Sequence, residues 1–477
     1  MCFNSLMESK MKINYLLASL VFFILISCES KSQFTDEFIA KDLATGLDTP
    51  WEILWGPDDY IWMTERYGRI SRVNPNNGEV TEIYRIPEVT EGGEKGLMGM
   101  ALHPDFDNSP QVYVVFNYQE NGNTLIRVDR YTYNGTSLDP ASKVTIISDI
   151  PGAQIHDGSR LWIDENLKLF VTTGDAGNAG LAQDLNSING KTLRLNLDGS
   201  IPEDNPFPDS PIWSWGHRNA QGMVMHDGIM YQSEHGPSDN DEVNIIHKGR
   251  NYGWPNVHGF CDEPDEEQFC LDSNVVEPIA AWTPTLAVAG IDFYDRTLFP
   301  NLKNSLLLVS LKAGKMVQLQ LSEDKMSVML QNQYFNGIYG RLRDLCISPD
   351  GKIYIATSNK DGRGSPAPQD DRIIELTPPP SSISNIFNNS SAVLIYPNPV
   401  KDKFKVSFTN DVTFDSEISL IDNLGRSVFS INSLTENNIK HGLEIDIKNL
   451  QKSISSGLYH LILRSGGVYY SKSIIIE

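Results

Sequence analysis

Between Ser214 and Trp254 the chain reads WGHRNAQGM, then SEHGPSDNDEVN, then GRNYGWPN. Two carboxylate-rich turns, the pair Arg218-Asn219 and the dipeptide Gly236-Pro237 fall within this one stretch. Such residues make a poor core. They suit an anion and a cation bound together, because guanidinium and amide groups donate to acids while carboxylates and carbonyls ligate hard cations. The run Asp239 to Glu242, DNDE, has the composition of a calcium loop and equally that of a solvated acidic turn. Further along, Arg341 and Arg343 are two apart, so on a strand they share a face. His156, in HDGSR, is of a type that titrates where a proton acceptor must. Taken alone it reads equally as a turn histidine bonded locally.

These residues need elements to hold them. From Phe38 to Leu376 the texture is uniform: short apolar or alternating runs such as YIWMTERYGRISRVN, QVYVVFNY, KLFVTTGD, KTLRLNLDG, NSLLLVSL and KIYIATSN, parted by Gly, Asn, Asp and Pro. Many short strands with turn chemistry between them predict an all-β sandwich, barrel or propeller. A loose internal echo (DDYIWMTERYGRISRV, ENLKLFVTTGD, DGKIYIATSN) favours the propeller, and at four strands per blade the span fills about six blades. Residues 377–391, TPPPSSISNIFNNSS, read as a linker. Residues 392–477 form a second β unit, opening VLIYPNPVKDKFKVSF and closing GLYHLILRSGGVYYSKSIIIE.

The bulk numbers narrow the partners. The 477 residues are 40% hydrophobic, enough for a large core, and carry a formal net charge of -22 with a pI near 4.8. So acidic a chain predicts no nucleic-acid partner and no attraction to an anionic membrane. Lys10 and Lys12 precede an apolar run, Tyr15 to Ile26, with the length of a signal-peptide core, so residues 1–28 are expected to be a leader and the protein exported. Met11 is a more natural start than Met1. The run ends Leu25-Ile26-Ser27-Cys28, which resembles a lipobox and implies a lipid anchor at Cys28. Cys261 and Cys270 flank an acidic loop, CDEPDEEQFC, and export predicts a disulfide there. Cys346, in LRDLCIS, reads as a small core residue.

The motifs EKGLMGMALHPDF, HDGSRL, TTGDAG, WGHRNAQGM, SEHGPSDNDEVN, NYGWPN, SLKAGKM and GRLRDLCISPDG occur in that order. Together they resemble the glucose/sorbosone dehydrogenase family over nearly all of Phe38 to Leu376. The resemblance implies a six-bladed β-propeller that binds pyrroloquinoline quinone (PQQ) and calcium. It puts His156 at the general base and Asp175 at the carboxylate that orients it. It sets Arg218, Asn219, Lys312, Arg341 and Arg343 around the acidic cofactor. It assigns Gly236 and Pro237 to an active-site calcium through main-chain carbonyls, and Glu242 with the Tyr252 carbonyl to a structural one. Glu94 stands where the glucose enzymes have a glutamine near cofactor and sugar. A carboxylate there is expected to be repelled by the cofactor unless protonated or facing calcium. Ile155 replaces an aspartate, and Trp282 lies near a sugar-stacking aromatic with altered spacing. HDGSR looks more like the broad aldose-sugar branch. In the second unit, the YPNP opening, the LGR turn and the SGLYHL strand resemble the C-terminal sorting domain of the type IX secretion system, a small β-sandwich, which implies that machinery as a partner.

The reading is therefore an all-β protein, a six-bladed propeller over residues 29–376 followed by a sandwich. It oxidises an aldose or related sugar by hydride transfer to PQQ and passes electrons to an external acceptor, since no CxxCH haem motif is present. Two rivals stay open: a calcium-dependent propeller lactonase or hydrolase, and a non-catalytic propeller that binds sugar or protein.

Overall fold

The computed structural model describes residues 37–379, 393–408, 416–422, 427–431, 433–450, 454–465 and 468–477. The leader, Cys28 and most of the linker lie outside the described residues. The chain divides into a larger unit, Ile39–Thr377, and a smaller one on Pro378–Glu477.

The larger unit holds six four-stranded antiparallel sheets. The first strands of successive sheets are Pro50–Trp55, Leu97–Leu102, Leu161–Ile163, Ala220–His226, Val288–Tyr294 and Leu342–Ile347. Each touches the next and the last touches the first, so the sheets stand around an axis in a propeller-like ring. Burial falls off outward. Leu97–Leu102 is buried along almost its whole length and Ser305–Ser310 along all of it, whereas the outer strand Val328–Tyr334 is largely exposed. Strands covered on both faces read as continuous apolar runs, which is why the inner ones do not alternate in sequence. The core is a series of layers between neighbouring sheets. Trp62, Ile70 and Ile83 of one sheet meet Leu97, Val112 and Tyr131 of the next. Val224, Tyr231 and Val243 meet Ile291, Leu306 and Val317 farther round.

One sheet joins the two ends of the unit. Strands Leu342–Ile347, Ile353–Thr357 and Ile373–Thr377 accept Ile39–Ala44 as their fourth, with Ile39 opposite Thr377 and Ala40 opposite Leu376. Arg372 Nη1 holds Asp42 at 3.1 Å across this seam. Cys346 is buried in the layer behind it, with Ile53, Met63 and Tyr354.

The segment Cys261–Cys270 is bridged by a disulfide, but it is not the loop that its composition suggested. Pro264–Ser273 is an α-helix. Pro264 opens it, Asp265, Glu266 and Glu267 sit in its first turn where they complement the dipole, and Asn274 ends it in the left-handed region. No residue of this helix is buried, so it carries no apolar stripe for a periodicity reading to find.

In the smaller unit a three-stranded sheet (Val393–Tyr396, Lys403–Phe408, Leu443–Asp446) and a four-stranded sheet (Glu417–Asp422, Ser427–Ile431, Gly457–Ser465, Val468–Ile476) share one core. Phe404 and Val406 from the first meet Leu420, Leu461 and Leu463 from the second.

Removing Ile39–Ala44 leaves the Ile373–Thr377 edge unpaired. A chain that begins at Thr45 is expected to lose at least about 2 kcal/mol against urea relative to one that begins at Glu37. It should also self-associate through the open edge. Equal urea midpoints with unchanged elution on gel filtration would show that the seam does not hold the ring.

Candidate active site

His156 and Asp175 lie in turns flanking the strands Leu161–Ile163 and Lys168–Thr173. Pairing continues beyond the strands: Ser159 N–H donates to the Thr172 carbonyl at 2.7 Å. This brings the two turns together, and it needs a glycine at 174. A Cβ there would lie 1.8 Å from the His156 carbonyl oxygen. His156 itself sits in the left-handed region, at φ 61°. Its Nδ1 is 2.8 Å from Asp175 Oδ1. The same oxygen accepts the Gly177 N–H at 2.8 Å, and Oδ2 accepts Trp254 Nε1 at 2.9 Å. The carboxylate is fully enclosed by donors, while the imidazole keeps 14% of its side-chain surface open. A carboxylate that holds Nδ1–H fixes the tautomer with Nε2 free to accept a proton.

Next to this pair, Glu94 accepts the His156 main-chain N–H at 3.0 Å and pairs with Arg363 at 3.2 Å. Glu94 also lines a cavity of about 200 Å³ with Gln221, His235, Lys312, Arg341 and Arg343. Burial raises the Glu94 carboxyl, but the His156 N–H and the charge of Arg363 oppose it, and the carboxyl lies below its ordinary range. Glu94 has two partners, and it stays ionised.

Arg343 lies 5.8 Å over the Trp51 ring and donates Nη1 to Gln221 Oε1 at 2.8 Å. Burial pushes its guanidinium down to about 10. Arg341 precedes the strand that begins at Leu342, so strand alternation does not align the two arginines. Both turn to Asp361 instead: Arg341 Nε at 2.7 Å and Arg343 Nη2 at 3.9 Å. Lys312 is exposed and bonds Thr285 Oγ1 at 3.0 Å. Arg218 stacks 5.2 Å from Trp254 and donates to the His235 carbonyl at 3.1 Å. Asn219 Oδ1 accepts the Gly158 N–H at 3.0 Å.

Four buried side-chain atoms have no partner: His235 Nε2 and Arg343 Nε on residues that line the cavity, and Arg218 Nε and Asn219 Nδ2 on residues whose main or side chains bond His235. A buried polar group left unmet costs roughly 1–3 kcal/mol, so the cluster is built for a ligand rich in acceptors. Burial pushes His235 down to about 3, with Arg343 and Arg218 adding to the effect and Glu94 opposing it, so its ring is neutral.

A smaller cavity, about 10 Å³, lies beyond His235 and is lined by Arg218, Glu234, Gly236, Pro237, Glu242 and Tyr252. That is room for one water-sized occupant. Glu234 and Glu242 are opposite each other on paired strands. Burial, then the charge of Glu234, pushes Glu242 up to about 8. The acidic run divides its labour. Asp241 is fully buried and ties the loop by accepting the N–H groups of Gly236 at 2.9 Å and Ala287 at 2.5 Å. Glu242 faces the small cavity, and Asp239 is half-buried, 3.7 Å from His258 Nδ1. Among the described residues no group of three or more His, Cys, Asp or Glu gathers in metal-ligating geometry. A cation bound here would have only carbonyls and at most two carboxylates to rest on.

Trp282 is corrected. It is 8% exposed, packs in the layer with Val243 and Val288, and bonds Gln331 at 3.2 Å, away from the cavity. Ile155 is exposed. Sequence reasoning passed over Gln221, His235, Arg66, Asp361 and Arg363. The first two lay inside motifs already singled out, NAQGM and SEHGP. Asp361 and Arg363 lie in NKDGRG, a turn whose composition is generic.

A ring of antiparallel sheets with a donor-lined cavity at one mouth, beside a carboxylate-held histidine, defines an all-β protein with one candidate site. Residues 47–366 match the Glucose / Sorbosone dehydrogenase model, and 394–477 match the Secretion system C-terminal sorting domain. The chain belongs to the glucose/sorbosone dehydrogenase family. Over 263 residues it is 39% identical to quinoprotein glucose dehydrogenase B of Acinetobacter calcoaceticus, a match covering 48% of this chain and 55% of that one. Over 336 residues it is 32% identical to aldose sugar dehydrogenase YliI of Escherichia coli (strain K12), covering 66% and 89%. The PQQ-bound aldose sugar dehydrogenase of Streptomyces coelicolor is similar in structure, with a TM-score of 0.63 and 32% identity over 72% of this chain and 99% of that one.

Glu94 has a folded-state value below its unfolded one of 4.5. Its contribution to stability is therefore complete above the unfolded value and is lost as pH falls through the folded one. Glu94→Gln is expected to cost about 1.5–3 kcal/mol at neutral pH, by the same amount from pH 7 to pH 5, with the difference shrinking only below 4.5. Urea midpoints of both proteins across that range test it. A difference that already shrinks above pH 5 would mean Glu94 is not held ionised.

Proposed function

We propose that the protein is an exported dehydrogenase that uses PQQ and calcium to oxidise an aldose or a related sugar. Its six sheets are read as the blades of a six-bladed β-propeller. The observation that carries this reading is the set of unpartnered donors, Arg218 Nε, Asn219 Nδ2 and Arg343 Nε, beside the His156–Asp175 pair. PQQ is a flat acid with three carboxylates and suits such donors, and arginine forks suit planar carboxylates. Lys312, Arg341 and the neutral His235 complete the wall. The second calcium position fits Glu242 and the Tyr252 carbonyl, where a cation relieves the Glu234–Glu242 repulsion. Gly236 and Pro237 offer their carbonyls to the first. A lactonase or a plain binding protein needs no such array of donors.

When bound, PQQ supplies a quinone that accepts a hydride, and calcium supplies a Lewis-acidic charge. The chain supplies the rest. Asp175 keeps the proton on His156 Nδ1 and stabilises the imidazolium that forms. His156 Nε2 takes the proton of the sugar hydroxyl at the carbon being oxidised. Glu94 holds the His156 main chain, and Arg341 and Arg343 fix the acid in register. Electrons leave to an external acceptor. The C-terminal unit is read as the address for type IX secretion.

Protein stripped with a chelator is expected to reduce dye in the presence of a sugar only when both PQQ and calcium are restored, with an absorbance change on PQQ addition. Full dye reduction without PQQ overturns the proposal.

His156→Ala is expected to bind PQQ normally and to lose about a hundred- to ten-thousandfold in turnover. A variant that keeps more than about a tenth of wild-type turnover is incompatible with His156 as the base.

A further inference from the structure

The six first strands begin at the mouth just described and end at another. There a second cavity, of about 480 Å³, is lined by the C-terminal halves of the same strands. Its wall contains Glu52, Arg160, Asp292 and Asp344, with Trp55 and Trp162. Nothing in the proposed reaction uses these groups.

Arg160 is 3% exposed. Its Nη1 holds Glu52 Oε1 at 2.5 Å and Asp344 Oδ2 at 3.1 Å, and its Nε donates to the Gln221 carbonyl at 2.9 Å. Its Nη2 has no partner, and neither has the buried Trp55 Nε1. Asp292 is half-buried and accepts the N–H of Phe293 at 2.7 Å and a main-chain bond from Ile347. The wall thus presents two unmet donors beside three carboxyls.

Those needs select a ligand class. An anion meets the donors but is repelled by the carboxyls. A bare cation leaves Arg160 Nη2 and Trp55 Nε1 unmet, and no metal-ligating cluster exists among the described residues. A hydroxyl donates and accepts at once, and two half-buried indoles offer apolar faces to a sugar's C–H groups. We propose that this cavity is a second carbohydrate or polyol site, at the opposite mouth of the ring from the candidate active site. The site stands on its own geometry and holds whether or not PQQ binds at the other mouth.

The test uses the full PQQ-free protein, titrated separately with D-glucose, D-xylose and maltose and read by tryptophan fluorescence. At least one sugar is expected to give a saturable change. Asp292→Ala and the isosteric Glu52→Gln should each weaken that phase about tenfold or more, the scale of one lost charge-assisted bond. Melting curves establish that both variants are folded. His156→Ala should leave the phase unchanged. Three results overturn the proposal: no saturable change with any of the sugars, as when water alone fills the cavity; unaltered affinity in both cavity variants; or loss of the phase in His156→Ala, which places the sugar at the other mouth.

Discussion

Two guanidinium groups share one indole on the axis of the ring. Arg160 lies 4.5 Å and Arg343 5.8 Å from the Trp51 ring. Both are almost completely buried, and like charges so placed must each be balanced locally. The balance is unequal. Arg160 has Glu52 and Asp344 in direct contact. Arg343 has only the amide of Gln221 and a carboxylate 3.9 Å away, which it shares with Arg341. Gln221 joins the two, its carbonyl to Arg160 and its side chain to Arg343. One mouth of the ring is therefore left short of negative charge and the other short of positive charge. The two cavities inherit their chemistry from that division.

The His156–Asp175 pair depends on the same frame at its edge. His156 and Asp175 are held by pairing that runs past the ends of their strands, by a glycine that no larger residue can replace, and by Trp254 from the neighbouring sheet. Arg218 packs on that same Trp254, and Asp175 N–H donates to the Arg218 carbonyl at 2.8 Å. The histidine pair and the donor-lined wall are one hydrogen-bonded structure. A change that loosens the wall reaches the histidine through two residues.

Much of this was legible in the sequence, for definable reasons. Inner strands read as apolar runs because both faces are covered, and the many short runs between Gly and Asp turns pointed to sheets rather than helices. The motifs brought His156, Asp175, Arg218 and Arg343 into view because each sits in a turn or strand start with distinctive local composition. Other features had no local signal. The helix Pro264–Ser273 buries nothing, so no period marks it. Gln221 matters only because Arg343, 122 residues later, reaches its side chain. Asp361 aligns two arginines from a turn of ordinary composition. Glu94 looked mismatched because its partners, the His156 N–H and Arg363, are remote in sequence. Trp282 looked available because aromaticity says nothing of which side of a strand faces the core.

The net charge of the chain sharpens what the cavity must do. At -22 the protein repels an acidic ligand at long range, so attraction cannot act as a beacon. In salt that repulsion fades beyond roughly 10 Å. The cavity wall itself carries Arg66, Lys312, Arg341, Arg343 and Arg363 against Glu94 and Asp361, an excess of positive groups in poorly screened surroundings. Capture then rests on short-range, directional bonds to donors that water cannot fully satisfy in the buried wall. Such a site gains its affinity through slow release rather than fast arrival. The unmet donors, costly in the empty protein, are the reserve from which that affinity is drawn.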